Sequence, residues 1–321
     1  MNTTSSSAPH AGSPTSEHPV DATGRIPAGD RALVLGGGGS TGNAWLIGVV
    51  AGLFDAGLDV TTADLTVGTS AGSTAAAQLA GATPTELYAA VLGAPVPQQP
   101  APTGSDQGQG PTRQVTDHLD RTTTIIAASS DAADMRRRMG AAALERAAAS
   151  DDSWQERWRT TVAARLPSPQ WPRRTVLITA VDALIGDPVV FDRLSGVDLA
   201  DAVAASCSSG IPYRIGGADY IDGGYRSNAE NADLAAGYER VLVLSPFGGR
   251  SLVPAAWGTH LSTQVDQLRA RGSRVETVVP DSDSEHMFGP RAMDPSLRPP
   301  AARAGYEVGR ARAEQLIELW R

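Results

Sequence analysis

Ser70 is the residue of this chain best placed to do chemistry. It lies in Gly68-Thr69-Ser70-Ala71-Gly72, after the β-prone run Leu65-Thr66-Val67 and before an alanine-rich run over 71–80 that favours helix. A serine in a strand-turn-helix elbow is held at a strained backbone angle, with its hydroxyl pushed out of the turn. Glycines two residues to either side remove the Cβ atoms that would collide there. The helix that follows aims its first N–H groups at the space over the serine. This arrangement suits a nucleophile for acyl transfer. The competing reading of the same residues is a tight turn between strand and helix.

Acyl transfer also needs donors for the oxyanion and a base for the serine proton. The first strand, Arg31 to Leu35, runs into Gly36-Gly37-Gly38-Gly39-Ser40-Thr41-Gly42. Gly37-x-Gly39-x-x-Gly42 matches a dinucleotide fingerprint, but that reading needs an acidic residue at the end of the second strand. The second strand ends in Gly68-Thr69-Ser70, and Asp59 and Asp64 lie at its other end. A nucleotide P-loop fails too, because Asn43-Ala44 stands where Lys-Ser/Thr is required. Nucleotide binding is therefore the weaker alternative. Read for acyl transfer, glycines at a strand-to-helix turn expose backbone N–H groups without side-chain obstruction. In a parallel sheet the C-terminal strand ends share one edge, so Gly37, Gly38 and Gly39 would face the same crevice as Ser70.

Two kinds of base are open. Asp222-Gly223-Gly224 follows the β-prone Tyr220-Ile221, which suits a turn that sets a carboxylate in a crevice, or simply an ordinary turn aspartate. The chain order Ser70, Asp222, then His260 or His286 would suit a Ser-His-Asp triad. However, His286 lies in the polar run 281–286, and His260 follows Ala255-Ala256-Trp257 in an expected helix. Both read as surface histidines. The others are His10, His18 and His118.

The elements that must position these residues follow from the hydrophobic pattern. Trp45, Leu46, Val49, Val50, Leu53 and Phe54 recur at helical spacing, and Gly57 closes that helix. Strand, helix, strand, helix from residue 31 onward implies a parallel sheet covered by helices. Residues 93–112 are rich in Pro, Gln and Gly and read as a surface loop. Residues 115–165 read as Ala- and Arg-rich helices, with Trp154 and Trp158 four apart on one face. They form either a helical layer on the sheet or a cover over an apolar pocket. The sheet resumes at 175–180, and a turn at Gly186-Asp187-Pro188 leads to a hairpin-like edge over 189–191. Residues 198–206 read as helix, 240–244 and 275–279 as strands, and 301–320 as a terminal helix. Residues 1–29 have almost no large apolar side chains and read as a disordered tail. That leaves 30–321 as one folded domain, with 94–170 as its loop and helical insertion.

Composition narrows the function classes. The 321 residues are 41% hydrophobic and 19% charged, as in ordinary globular proteins, with a net charge of −8. That charge argues against a nucleic-acid surface or a generic anchor to anionic membrane. All 27 basic residues are arginine, which nothing here explains. The single cysteine, Cys207, excludes an intramolecular disulfide framework and a multi-cysteine metal site. No secretory signal and no apolar run of membrane-spanning length is visible, so a cytoplasmic location is expected.

Four segments together carry a resemblance. Leu35-Gly36-Gly37-Gly38-Gly39-x-x-Gly42, Gly68-Thr69-Ser70-Ala71-Gly72-Ser73, Ala205-Ser206 with Pro212, and Asp222-Gly223-Gly224 resemble, in order and approximate spacing, the patatin-like phospholipase family. The resemblance spans about residues 31–225. It implies a three-layer α/β/α sandwich and a Ser-Asp dyad in place of a triad. Ser70 would be the nucleophile, Asp222 the general base, and the Gly37, Gly38 and Gly39 amides the oxyanion hole. It implies no metal or cofactor. The activity it implies is lipid acyl hydrolysis of phospholipids or acylglycerols, with transient contact at a membrane surface. An acyltransferase on the same scaffold is the alternative. One departure stands out: many family members carry Arg or Lys in the first glycine loop, where this chain has Thr41. That bears on phospholipid preference more than on hydrolysis.

Overall fold

A computed structural model of the chain describes residues 19–95, 111–149 and 153–321. In order, the elements are β1 (Gly29–Leu35), α1 (Gly39–Asp55), β2 (Leu65–Gly68), α2 (Ala71–Gly81), α3 (Pro84–Gly93) and α4 (Pro111–Ala127). Then come α5 (Ala132–Ala148), α6 (Trp154–Ala163), β3 (Thr175–Asp182), β4 (Pro188–Phe191), α7 (Leu199–Ser206) and β5 (Tyr213–Ile215). The chain finishes with β6 (Ala218–Asp222), β7 (Tyr238–Leu244), α8 (Leu261–Ala270), β8 (Arg274–Val278) and α9 (Arg298–Trp320).

The strands form one sheet in the order β5-β6-β3-β2-β1-β7-β8, with β4 paired to β3. The five strands from β3 to β8 along this order are parallel. The pairings made by β4, β5 and β6 are antiparallel. Side chains alternate between the two faces, as the pleat requires. Leu33, Leu35, Leu242 and Leu244 join the core formed with α1, α7 and α9. Ala32, Val34, Val241 and Val243 join a second core under α8. The result is a three-layer α/β/α sandwich with a mainly parallel sheet.

Two packing details control the site. The first is the approach of α9 to α1, which is backbone to backbone: a Cβ on Gly48 would lie 2.1 Å from the Ala302 carbonyl oxygen. This brings the start of α9 to the first turn of α1. The second is the edge of β3. Ile178 pairs with Gly68 of β2 and Phe191 of β4, while Ala180 pairs with Asp222 of β6 and Val189 of β4. A strand residue has only two sides, so β2 and β6 occupy the same edge of β3, end to end. They run toward each other and stop two β3 residues apart. The last residue of β6 is therefore delivered to the turn that follows β2.

The tail departs from expectation over residues 20–29. The Ala22 amide donates to the Val190 carbonyl at 2.8 Å, and the Val190 amide donates to Asp21 Oδ1 at 2.7 Å. Arg25 pairs with Asp192 at 2.9 Å, and Ala22 is fully buried. The small Ala22 fits the β4 edge that composition alone could not foresee. Residues 1–18 lie outside the described residues, as do 96–110 of the expected surface loop. In the helical insertion, Trp154 and Trp158 stack at 6.3 Å, and Trp158 Nε1 donates to the Ala204 carbonyl on α7. Helix α6 is thus a packed layer. Helix α4, by contrast, touches the turn at Gly289–Arg291 beside the glycine loop. Its far end packs Ile126 with Val181 and Ile221. Among the described residues no helix is long and apolar enough to cross a membrane.

Candidate active site

Ser70 has φ 52° and ψ −116°, a left-handed backbone that a side chain adopts only under constraint. The constraint is visible on both sides of it. A Cβ on Gly72 would lie 1.9 Å from the Leu35 carbonyl oxygen, and one on Gly68 would lie 2.7 Å from Ser73 Cα. Both positions therefore admit only glycine. The Ser70 amide donates to Ser206 Oγ at 2.9 Å. The Ser70 carbonyl accepts from Ser73 Oγ at 2.6 Å and from Cys207 Sγ at 3.2 Å. Burial pushes the Cys207 thiol up to about 11, so this cysteine braces the elbow and is not a thiolate nucleophile.

The Ser70 hydroxyl donates to Asp222 Oδ2 at 2.8 Å. The other carboxylate oxygen, Oδ1, accepts from the Gly224 amide at 2.8 Å. Asp222 is buried, and loss of solvation pushes its pKa up to about 6 against those two hydrogen bonds, which act to lower it. Such a carboxylate is still ionised at neutral pH, yet holds a proton more readily than an exposed aspartate. Its strand end is fixed by close approach. A Cβ on Gly223 would lie 2.1 Å from Thr179 Oγ1 and 2.3 Å from the Thr179 carbonyl oxygen.

The glycine loop lies beside the serine, with the ideal Cβ position of Gly37 3.6 Å from Ser70 Cβ. Its three amides are not equivalent, which corrects the expectation for Gly37. The Gly37 N–H donates to the Ala229 carbonyl at 2.8 Å and is therefore spent. Among the described residues, no acceptor takes the Gly38 or Gly39 N–H, nor that of Ala71 at the start of α2. The Ala71 amide adds a donor outside the glycine loop, at the position directly after the elbow serine.

The histidines lie elsewhere. His260 Nε2 contacts the Val253 carbonyl at 2.8 Å, and His286 Nδ1 the Asp283 carbonyl at 2.8 Å. His260 is not inside a helix but precedes α8, with extended backbone. His118 on α4 has Nε2 3.1 Å from the Tyr225 hydroxyl. No histidine among the described residues bonds Ser70 or Asp222. Thr41, at the position that departs from the family pattern, is buried, and its hydroxyl donates to the Met287 carbonyl at 3.0 Å. A cation reaches this loop from another element. Arg298 at the start of α9 donates to the Ser40 carbonyl at 2.7 Å and to Asn43 Oδ1 at 3.2 Å.

Residues 33–234 match the family model described as patatin-like phospholipase. The chain belongs to the patatin-like phospholipase family. No curated protein matches the chain in sequence. Among solved structures, the type III effector ExoU is 15% identical with a TM-score of 0.38, over 90% of this chain and 53% of that one. VipD from Legionella pneumophila is 11% identical with a TM-score of 0.40, over 90% of this chain and 67% of that one. ExoU from Pseudomonas aeruginosa in complex with SpcU is 17% identical with a TM-score of 0.36, over 91% and 53%. The chain thus spans about half the length of ExoU.

Proposed function

We propose that this protein is a serine lipid acyl hydrolase that cleaves carboxylic esters of phospholipids or acylglycerols with a Ser70-Asp222 dyad. The observation that carries the reading is the 2.8 Å hydrogen bond from the Ser70 hydroxyl to a buried carboxylate, at a serine with positive φ. Asp222 takes the Ser70 proton as Ser70 Oγ attacks the ester carbonyl. The negative charge that develops on the carbonyl oxygen is met by the uncommitted amides of Gly38 and Gly39. Such preorganised donors lower the barrier by several kcal/mol because they need not reorganise. The tetrahedral intermediate collapses to an acyl-serine, and Asp222 returns its proton to the departing alcohol. Asp222 then deprotonates a water molecule, which releases the fatty acid and restores Ser70.

The test is direct. Ser70→Ala should abolish hydrolysis of p-nitrophenyl esters while leaving the fold intact, since alanine removes one oxygen atom. An alkyl phosphonate should label the natural chain at Ser70 and spare the variant. Labelling of another serine, with activity kept in Ser70→Ala, would sink the assignment.

A further inference from the structure

Several arginines around the helical insertion have an acid partner. Arg138 meets Asp134 at 2.9 Å, Arg159 meets Asp201 at 2.7 Å, and Arg226 meets Asp233 at 2.9 Å. Arg121 on α4 and Arg146 on α5 break this pattern. Among the described residues neither has a hydrogen bond or an ion pair. Asp117, one turn before Arg121, does not pair with it, and Asp120 and Glu145 precede the two arginines directly in sequence, on different helix faces. Instead the two guanidinium groups face one another's field and that of a third basic side chain, His118. Burial and both arginines hold His118 below its ordinary value. In a chain of net charge −8, like charges gathered without a counter-ion repel one another. A ligand that brings negative charge would relieve that repulsion.

The cluster is joined to the dyad through three consecutive residues. The Ser208 carbonyl accepts from the Asp222 amide at 3.0 Å. The Ser209 carbonyl accepts from the Tyr225 hydroxyl at 3.3 Å, and the same hydroxyl lies 3.1 Å from His118 Nε2. A Cβ on Gly210 would lie 3.6 Å from an Arg146 Nη, so the Arg146 guanidinium overhangs this loop. Tyr225 follows Asp222 by three residues, and burial, then the Asp222 charge, raise its pKa. The unpaired cations are therefore linked to the candidate base through Tyr225 and the 208–210 loop. Arg121 and Arg146 are exposed and so open to a ligand.

We infer that Arg121, Arg146 and His118 form a subsite for the phosphate of a phospholipid head group, filled when the substrate ester lies at Ser70. This inference rests on the hydrolase reading above. Phosphate is the fitting anion because planar guanidinium forks take its oxygens two at a time. A phospholipid also carries its phosphate only a few bonds from the ester that is cut. The released fatty acid is anionic as well, but its carboxylate forms at Ser70 and not at the cluster.

Two short-chain substrates test the inference. Dihexanoyl phosphatidylglycerol and dihexanoylglycerol carry the same two esters and differ in the phosphate head group. Both are presented as monomers, so that no lipid surface contributes. In Arg121→Gln/Arg146→Gln, the ratio of kcat/KM for the phosphate-bearing ester over the neutral one should fall about tenfold or more, mainly through KM. A ratio within about twofold of the natural one would overturn the proposal, whether both activities fall together or neither does. So would an effect seen only on anionic vesicles, which would assign the cluster to surface attraction.

A second measurement does not depend on turnover. In Ser70→Ala with the cluster intact, glycerol 3-phosphate or inorganic phosphate should raise the His118 titration midpoint, read by NMR, and should not do so once both arginines are changed. No movement of His118 with either probe would overturn the proposal. Movement with inorganic phosphate, with the substrate ratio unchanged, would assign the cluster to free phosphate and overturn the head-group assignment. If the natural chain cleaved neither ester, the hydrolase reading would fail, and the His118 titration would still decide phosphate binding.

Discussion

The side-chain amide of Asn231 donates to the hydroxyl of Thr69 at 3.0 Å, with both residues fully buried. Thr69 immediately precedes Ser70. The same amide nitrogen donates at 3.0 Å to the carbonyl of Gly223, which immediately follows Asp222. Thr179 of β3 completes the cluster by donating its hydroxyl to Thr69 Oγ1 at 3.0 Å. One side chain thus ties together the residue before the serine and the residue after the carboxylate. Asn231 itself is held at φ 56°, and its carbonyl accepts from the Leu234 amide at 3.2 Å. Its place is set by Asn228, whose Oδ1 accepts from the Asn231 amide at 2.6 Å.

Asn231→Ala is expected to lower kcat with little change in KM, by about tenfold or more, because the Ser70–Asp222 spacing loses its tie. Stability should fall by about 1–3 kcal/mol, since buried polar groups lose their donor. Alanine is also strained at this backbone angle by about 1–2 kcal/mol. Asn231→Gly separates the two effects, because glycine accepts the angle but still lacks the amide. Esterase kinetics and urea denaturation should place Asn231→Gly between the natural chain and alanine in stability, but level with alanine in kcat. Natural kcat in the glycine variant would mean that the amide does not position the dyad.

Asp222 and Glu230 set an opposing pH dependence for activity and stability. Both are buried and pushed up to about 6, and Glu230 accepts from Ser245 Oγ at 2.6 Å beneath the glycine loop. In the proposed role of base, Asp222 must be ionised, so kcat/KM should fall as the pH drops through about 6. Stability runs the other way. Between the ordinary carboxylate values and about 6, the folded state holds protons that the unfolded state has released. The stabilisation present in acid is therefore lost as the pH rises through that window. Asp222→Asn removes one buried charge. It should raise Tm at pH about 7.5 with no comparable gain at pH about 4, while turnover drops by at least about 100-fold. Equal Tm changes at both pH values would show that burial of this charge does not matter.

Gly223→Ala tests the contact that delivers Asp222. The new methyl would overlap the backbone and hydroxyl of Thr179, and neither can give way without opening the end of β6 from β3. Overpacking of this kind costs about 1–3 kcal/mol or more. Activity should fall by more than the folded fraction, because the carboxylate moves with the strand. A variant with natural urea midpoint and natural kcat would contradict the close approach.

Much of this was legible in the sequence where it was local. The elbow announces itself within five residues, because the glycines that permit positive φ at Ser70 stand next to it. The alternation of Leu33 and Leu35 with Val34 likewise shows a strand buried on both faces. What the sequence hid was long-range. The Gly37 amide looked free because its acceptor, Ala229, is distant in the chain, and hydrogen bonds of that kind leave no pattern. Arg298 offered no sign that it would reach the loop around Ser40, since the backbone packing of α9 on α1 decides that. Asn231 read as one polar residue among several in Ser227-Asn228-Ala229-Glu230-Asn231. His118 was passed over because it precedes Asp222 in the chain, although α4 folds it back against Tyr225.

Histidine separates the two mechanisms that a serine hydrolase can use. A triad routes the serine proton through an imidazole whose pKa lies near neutrality, whereas a dyad passes it straight to a carboxylate. In the chain order of an α/β-hydrolase, the triad histidine would follow Asp222, which leaves His260 and His286. His260 is engaged with the Val253 carbonyl and His286 with the Asp283 carbonyl, each within its own loop. Neither has a path to Ser70 Oγ, which already meets Asp222 at 2.8 Å. His260→Ala and His286→Ala should each keep kcat for p-nitrophenyl esters within about tenfold of the natural chain, well short of the loss that follows removal of a general base. His260 also fixes the turn ahead of α8, so a modest fall in Tm is expected there, and activity should be read on the folded fraction. A folded His260 or His286 variant as inactive as Ser70→Ala would replace the dyad with a triad, and Asp222 would then orient an imidazole instead of taking the proton itself.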